Sequence, residues 1–462
     1  MKPQVCLIVD NPLRDLDGLV LLGAQLARRG VDAWLVPMYE QGFDCWAIGA
    51  DFVLANYVRP NNLDMLKRYL GAGIRVGILD TEGVGGKSAD EFAKLVARSG
   101  GAAQMDLYCV WGESQRQALE HERLVAADRL RVTGCPRYDF CAEPWSAALP
   151  RPAAEPGYVL VNTNFPVVNP RFSSGPEGER RTMIQAGFSV EFADAYVRDA
   201  KAAHAGMIDL MKHLLQRFPG QRFVLRPHPF ESGAAYGELQ AWGNFELRQE
   251  GTSVEWLSQA CALVHLNCST AVEAAMLGKP ALSPAWLDSP TLNVPVPHRL
   301  SLHGADVDAL DALLLQVLDA SAGERAASIA TLRNEVIGAS YHDIDGHAAE
   351  RAADAIVDTL GSAQAPREAD VAPASLRGRM IDGARRVLGR SMYSLLLRLA
   401  RKPAPGRNAK RFSAAEVSAI VARLADCEPA MAGLRVDAMP GTTVRRSRLA
   451  SGLSVRISAT GS

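Results

Sequence analysis

No stretch of this 462-residue chain approaches the roughly 18 uninterrupted apolar residues of a membrane-spanning helix. The apolar run from Val5 meets Asp10 too soon for a secretory leader, so it reads as a first β-strand rather than a signal peptide. The eight cysteines are scattered and never form a Cys-x-x-Cys pair. That spacing argues against a disulfide framework or a zinc site and predicts reduced, mostly buried thiols in a cytoplasmic protein. There is no His/Cys ligand cluster, no convincingly placed Asp-x-Asp pair and no internal repeat, so no bound metal or cofactor is expected. What remains is an ordinary globular composition, 48% hydrophobic and 22% charged, which excludes a wholly disordered, collagenous or coiled-coil chain. At about 150 residues per domain, two to three domains are expected.

The net charge of −1 conceals an asymmetry. Between Ser375 and Arg411 there are eleven basic residues and one acid, Asp382, a net of +10, so the rest of the chain carries −11. A basic segment on a mildly acidic body suggests an anionic partner for that segment.

Hydrophobic periodicity predicts an α/β protein. Strand-like runs at 5–9, 33–36, 52–54, 75–79, 107–111 and 130–133 alternate with helical patterns such as 16–29 and 62–70. Such alternation implies a mostly parallel sheet covered on both faces. Prolines at 136, 144, 150, 152 and 156 then punctuate an alanine-rich stretch, read as a linker over 141–157. A second series follows, with strands at 158–161, 222–225 and 262–265, a long helix around 192–218, a short helix at 270–277 and helical patterns through 307–360. The expected organisation is a doubly wound domain over 1–140, a second over 158–361, a mobile Ala/Pro-rich linker over 362–375, and a basic amphipathic helical extension over 376–462.

Ligands of such sheets bind beyond the carboxyl ends of the strands, so the loops that follow strands carry the functional expectations. Asp80-Thr81-Glu82-Gly83-Val84-Gly85-Gly86 sets carboxylates beside glycines that permit close approach, although a capping carboxylate in a turn reads equally well. In Arg226-Pro227-His228-Pro229 two prolines hold one histidine, which can donate to a phosphate oxygen or a departing anion. Asn267-Cys268-Ser269-Thr270 opens a helix, where hydroxyls and backbone N–H groups suit a phosphate; an ordinary N-cap is the plainer reading. Glu273 follows one turn later, within reach of a ribose. Asn162-Thr163-Asn164-Phe165 lines the same pocket or forms a plain turn.

Taken together these segments resemble glycosyltransferases of the GT-B architecture, two Rossmann-like domains facing across a cleft, and more narrowly the bacterial surface carbohydrate biosynthesis proteins. The resemblance is carried by Asn11-Pro12-Leu13-Arg14-Asp15-Leu16-Asp17-Gly18, Thr133-Gly134-Cys135-Pro136-Arg137-Tyr138-Asp139, Arg226-Pro227-His228-Pro229 and Asn267 to Ala274 with Leu277-Gly278-Lys279-Pro280, over roughly residues 1–360. Glu82-Gly83, His228-Pro229 and Ser269-Thr270 follow the motif order of polysialyl- and Kdo transferases, which use CMP-activated acidic sugars. By that likeness Glu82 is the general base, with Asp80 as rival. His228 contacts the CMP phosphate, and Ser269 and Thr270 bind phosphate or nucleotide. Asn162, Asn164, Arg226, Asn267 and Glu273 complete the nucleotide-sugar site, and Asp17, Gly83 and Gly85 belong to acceptor-side loops.

The implied reaction is a metal-independent, inverting transfer. A carboxylate takes the acceptor proton, and hydrogen-bond donors meet the charge growing on the leaving CMP. The expected partners are a nucleotide-sugar donor and a glycan acceptor of a surface polysaccharide, lipid-linked in one version. In the basic tail, apolar residues recur helically from Met380 to Leu399. An anionic membrane surface is therefore expected to bind residues 376–411, placing the protein peripherally at the inner face of a bacterial inner membrane. A helix packed on its own body is the plainer alternative. Nucleic acid is not expected, because the tail has few aromatics and the body is acidic. Three other readings stay open: a UDP-sugar 2-epimerase, a CDP-glycerol-type transferase, and a non-catalytic nucleotide- or glycan-binding subunit.

Overall fold

The computed structural model describes residues 2–81, 88–152, 154–173, 175–185, 188–362, 374–399, 408–439 and 451–460. The chain forms two compact units. One is drawn from Met1–Val84, Ala89–Leu149 and Ala339–Ser462, the other is centred on Pro150–Gly338.

The first unit is built on β1 (Gln4–Val9), β2 (Asp32–Pro37), β3 (Phe52–Ala55), β4 (Arg75–Leu79), β5 (Leu107–Val110) and β6 (Leu130–Val132). These run parallel in the order β2-β1-β3-β4-β5-β6. Their residues are nearly all buried, which is why they read as continuous apolar runs rather than alternating ones. The second unit holds β7 (Val159–Asn162), β8 (Phe223–Arg226), β9 (Phe245–Leu247), β10 (Ala262–His265), β11 (Ala281–Pro284) and β12 (Ser301–Gly304). They form a parallel sheet in the order β12-β11-β10-β7-β8-β9. The 28-residue helix Val190–Arg217 buries Met207, Leu210, Met211 and Leu214 in this unit's core. Both units are doubly wound α/β sheets, as the alternation predicts.

The first helix, Pro12–Arg28, shows how the sequence sets a boundary. Asn11 is its N-cap, with Oδ1 accepting from Leu13 N–H at 3.2 Å, and Pro12 fits the first turn because no N–H is needed there. The Asp15 carboxylate accepts from Asn11 N–H at 3.0 Å. Gly18 then lies against the backbone of the segment after β6. A Cβ built there would stand 2.5 Å from Arg137 N and 2.8 Å from the Pro136 carbonyl carbon. The 11–18 and 133–139 segments thus meet, and Gly18 is required because only a residue without a Cβ fits.

The domain boundaries differ from those expected. The second unit ends at Gly338, not 361, and the first unit takes back the chain from Ala339. The reason is Asp139, whose buried carboxylate accepts from Ala348 N–H at 2.9 Å and Ala349 N–H at 2.8 Å. It thereby caps the helix Ala348–Gly361. Arg351 Nε donates to the Thr133 carbonyl at 2.9 Å, and Trp145 Nε1 to that of Gly346 at 2.8 Å. Trp145 also shows that the start of the expected 141–157 linker is packed: it is 4% exposed, inside the first unit.

The extension is not simply helical. Helix Ala414–Cys427, started by a Ser413/Glu416 capping box, is followed by β13 (Leu434–Ala438) and β14 (Val455–Ala459). These strands pair antiparallel with each other, and β14 pairs antiparallel with β2, extending the sheet to eight strands. Val455 and Ile457 are buried, and the Ile457 methyl lies where Gly23 leaves room on the first helix. The basic helix Leu376–Leu399 is two helices meeting at Gly389, whose φ of 71° breaks the repeat. Most of the 362–375 linker (363–373) and the basic residues Arg401, Lys402 and Arg407 lie outside the described residues. No helix among the described residues is long and apolar enough to cross a membrane.

Candidate functional site

In the second unit the register of the sheet sets the expected residues side by side. Asn162 ends β7 directly opposite Arg226 of β8 and His265 of β10, so the three following loops leave the same sheet edge together. Asn162 Nδ2 donates to Thr270 Oγ1 at 3.0 Å, while its buried Oδ1 has no hydrogen-bond partner among the described residues. Asn164 Nδ2 reaches the Asn267 carbonyl at 3.5 Å. Asn267 adopts a left-handed backbone with φ of 51°, which asparagine tolerates better than most residues. Its Nδ2 donates to Asp288 at 2.6 Å, and Val294 N–H reaches its Oδ1 at 3.4 Å. His265 pins the turn from below: Nε2 meets Ser301 Oγ at 2.8 Å, and Nδ1 accepts from Cys268 N–H at 3.1 Å. Complete burial pushes this imidazole down to about 3, so it is a neutral structural histidine.

Ser269 is exposed and its side chain makes no capping bond. Helix Thr270–Met276 has only seven residues, so what the position offers is chiefly the Ser269 hydroxyl rather than a strong helix dipole; the Thr270 hydroxyl accepts from Asn162 and donates to Cys268 Sγ at 3.1 Å. Burial raises the Cys268 thiol, which keeps it unreactive.

His228 is half-buried between Pro227 and Pro229. Its Nδ1 accepts from Phe230 N–H at 3.2 Å, so the neutral ring carries its proton on Nε2 and presents a donor there. The backbone N–H of His228 points to Glu231 Oε2 at 3.3 Å. That carboxylate, fully buried, also accepts from Thr163 Oγ1 at 2.9 Å and Phe165 N–H at 3.1 Å. The β7 and β8 loops are thus tied through one glutamate.

Two expected ligand residues are engaged elsewhere. Arg226 is 9% exposed and donates from one Nη to the carbonyls of Glu250 at 3.0 Å and Gly251 at 2.7 Å. Burial lowers its guanidinium, opposed by Glu255, Glu250 and Glu273 nearby. Glu273, also buried, holds Ser253 Oγ. Both are braces of the second unit, a consequence of their burial beneath the strand ends.

In the first unit, Asp80 follows β4 and is 5% exposed, with an Arg59 Nη 3.9 Å away. It lines a small pocket at the carboxyl ends of β1, β3 and β4 with Asn56, Thr81, Asp15 and Arg137 around an apolar floor of Leu19, Leu54 and Leu79. Asn56 Nδ2 and Thr81 Oγ1 are buried there without hydrogen-bond partners among the described residues. Arg137 donates to the Thr81 carbonyl at 3.2 Å and stacks over Trp111 and Tyr138. Glu82, Gly83 and Gly85 lie outside the described residues. Asp17 is not at this pocket: it pairs with Arg423 at 3.5 Å on helix Ala414–Cys427, and burial raises its carboxyl. Among the described residues no cluster of three metal-ligating side chains occurs.

Sequence reasoning missed Glu231, His265, Asn56, Asp15 and Arg137 as members of these sites. Glu231 had a readable signal, a charged residue three positions after a histidine in a proline-fixed loop. Asp15 and Arg137 sat unassigned inside quoted segments. Asn56 and His265 offered nothing.

No family model matches the chain, and no curated protein matches it. Solved structures do. A candidate UDP-N-acetylglucosamine 2-epimerase from Listeria monocytogenes is 14% identical, with a TM-score of 0.50 over 79% of this chain and 99% of that one. An S. aureus MnaA–UDP complex is 14% identical, TM-score 0.48, over 78% of this chain and 97% of its own. The wall teichoic acid polymerase TagF is 11% identical, TM-score 0.47, over 78% and 88%. At such identity the likeness is one of fold, and it rests on the first of these: the chain has the GT-B fold class, two Rossmann-like units.

Proposed function

We propose that the chain is a nucleotide-sugar enzyme, an inverting glycosyltransferase that moves an acidic sugar of the Kdo or sialic-acid type from a CMP-activated donor to a bacterial surface polysaccharide or lipid-linked glycan. The observation that carries the reading is the His228 loop. A proline-fixed imidazole at a strand end, with Nδ1 occupied by Phe230 N–H, offers Nε2–H as a donor to a leaving phosphate. The loops that leave the same sheet edge after β7 and β10 carry the hydroxyls of Ser269 and Thr270 and the amides of Asn162, Asn164 and Asn267. In the reaction the acceptor oxygen attacks the anomeric carbon and the bond to the CMP phosphate oxygen breaks. The acceptor proton goes to Glu82 or Asp80, and the phosphate charge is met by His228, Ser269 and Thr270, so the transfer needs no metal.

The test is isothermal titration with CMP, CDP and UDP, beside His228→Ala. Selective CMP binding that the variant loses by about tenfold or more supports the reading. Preference for UDP moves the assignment to the epimerase, and preference for CDP to a CDP-glycerol-type transferase. No nucleotide binding leaves a glycan-binding subunit.

The same reading places the enzyme on an anionic membrane surface. Leu376, Met380, Val387, Leu388 and Met392 are exposed, as are Arg377, Arg379 and Arg386. The segment is held to the first unit by Arg68–Asp382 at 2.7 Å and Ser375 N–H to Asp64 at 2.6 Å, and Arg386 lies 5.5 Å over Trp46. Apolar and cationic side chains exposed together match the chemistry of an anionic bilayer.

A further inference from the structure

Among the described residues of the second unit, Glu231 is a buried acid that accepts five hydrogen bonds. Its Oε2 accepts from Thr163 Oγ1, Phe165 N–H and His228 N–H at 2.9, 3.1 and 3.3 Å. Its Oε1 accepts from Asn169 Nδ2 at 3.3 Å and from the Tyr236 hydroxyl. His204 Nε2 stands 4.0 Å away. Five donors converge on a side chain that is 0% exposed. A carboxylate offers about four acceptor lone pairs and no donor, so it suits this environment where an amide would turn N–H against N–H.

These donors come from three places: the loop after β7, the His228 loop and the turn carrying Tyr236. Backbone bonds zip the first two together. Arg171 N–H donates to the Phe230 carbonyl at 2.8 Å, and Ser232 N–H to that of Asn169 at 2.9 Å. Glu231 sits at the centre of that zip. If its carboxylate is withdrawn, the His228 N–H loses its acceptor, and the Phe230 N–H that fixes the ring's Nδ1 is freed to move.

We propose that Glu231 is a positioning residue that acts through His228: it holds the 228–230 loop so that Nδ1 stays an acceptor and Nε2 carries the proton, and it locks that loop to the β7 loop. This deepens the transferase reading and rests on it for the use made of His228, but the positioning itself is testable without any substrate. Histidine-labelled 15N NMR, with His228→Gln assigning the ring among nine histidines, reports the tautomer. In the unaltered protein at pH above the imidazole transition, His228 is expected as the Nε2–H form. In Glu231→Gln a mixture of both tautomers is expected, with CMP affinity lowered about tenfold. A folded Glu231→Gln protein that keeps the single Nε2–H tautomer overturns the proposal, whatever its melting temperature. If Glu231→Gln does not fold, Thr163→Val and Tyr236→Phe each remove one donor to the carboxylate. A smaller shift in the same direction supports the proposal, and an unchanged tautomer in both refutes it. Tautomer loss in a protein that never binds CMP sustains the positioning role while removing the donor assignment.

Discussion

Gly18→Ala isolates the contact that joins the first helix to the segment after β6. A glycine inside a helix costs about 1 kcal/mol relative to alanine, so without tertiary context the substitution should stabilise. Here the new Cβ would lie 2.5 Å from Arg137 N and 2.8 Å from both Arg137 Cα and the Pro136 carbonyl carbon. Comfortable separation is roughly 3.5 Å, so helix and loop must part by about 1 Å. Backbone cannot yield as a flexible side chain can, and overpacking of this kind costs ~1–3 kcal/mol or more. Because the propensity gain offsets about 1 kcal/mol of it, the net loss should be about 0–2 kcal/mol, where an unhindered site would gain. Hydrogen exchange of the Pro12–Arg28 amides reads this locally, without assuming two-state unfolding of a two-unit chain. Gly338→Ala is the control: it lies in helix Ala330–Ser340 with nothing within 4 Å of its built Cβ, and should gain ~0.4–1 kcal/mol. Equal gains at both glycines would refute the idea that the 11–18 and 133–139 segments are locked by close backbone approach.

Burial pushes the Asp139 carboxyl up to about 7, against the pull of two helix N–H donors. Unfolded it titrates near about 4. The folded state therefore holds a proton through that interval, and the stability this gives is full below about pH 4 and lost as pH rises to about 7. Asp139→Asn cannot ionise and should abolish that slope, while keeping an acceptor for only one of the Ala348 and Ala349 N–H groups and so lowering stability at every pH; parallel urea-midpoint profiles for variant and parent would contradict it. Ile457→Ala should cost about 2–4 kcal/mol, because the side chain is fully buried between sheet and first helix; an unchanged midpoint would show that β14 contributes nothing. Arg377→Glu with Arg379→Glu should weaken cosedimentation with phosphatidylglycerol vesicles and leave nucleotide binding unchanged, whereas equal binding to neutral vesicles would exclude an electrostatic contact.

Nine strands were legible, and all but β6 are short, largely buried apolar runs between turn signals, where burial on both faces leaves little else to write. β9, β11 and β12 were not, since Phe245-Glu246-Leu247 or Ala281–Pro284 alone resembles any loop. β13 and β14 were missed for a different reason: Leu434–Ala438 and Val455–Ala459 become strands by pairing with each other and with β2, over four hundred residues distant in sequence. At the candidate site the residue types at strand ends were readable, but not which way they turn. Arg226 and Glu273 looked like ligands, yet both are buried on internal partners. Glu231 looked like a loop residue and is the hub of five hydrogen bonds. Local pattern reports which residues leave a strand; only packing reports what they meet.

The pairing of β14 with β2 has a consequence for synthesis. On the ribosome nearly all of the second unit, Pro150–Gly338, is one continuous stretch and can close as soon as it emerges. The first unit cannot: β2 exposes an open edge from residue 32 until residues 455–459 arrive. Its sheet is thus completed more than four hundred residues after β2 is made, and until then an unpaired parallel-sheet edge faces solvent. Nascent chains stalled short of β14 should accordingly be the form of this protein that most needs chaperone protection.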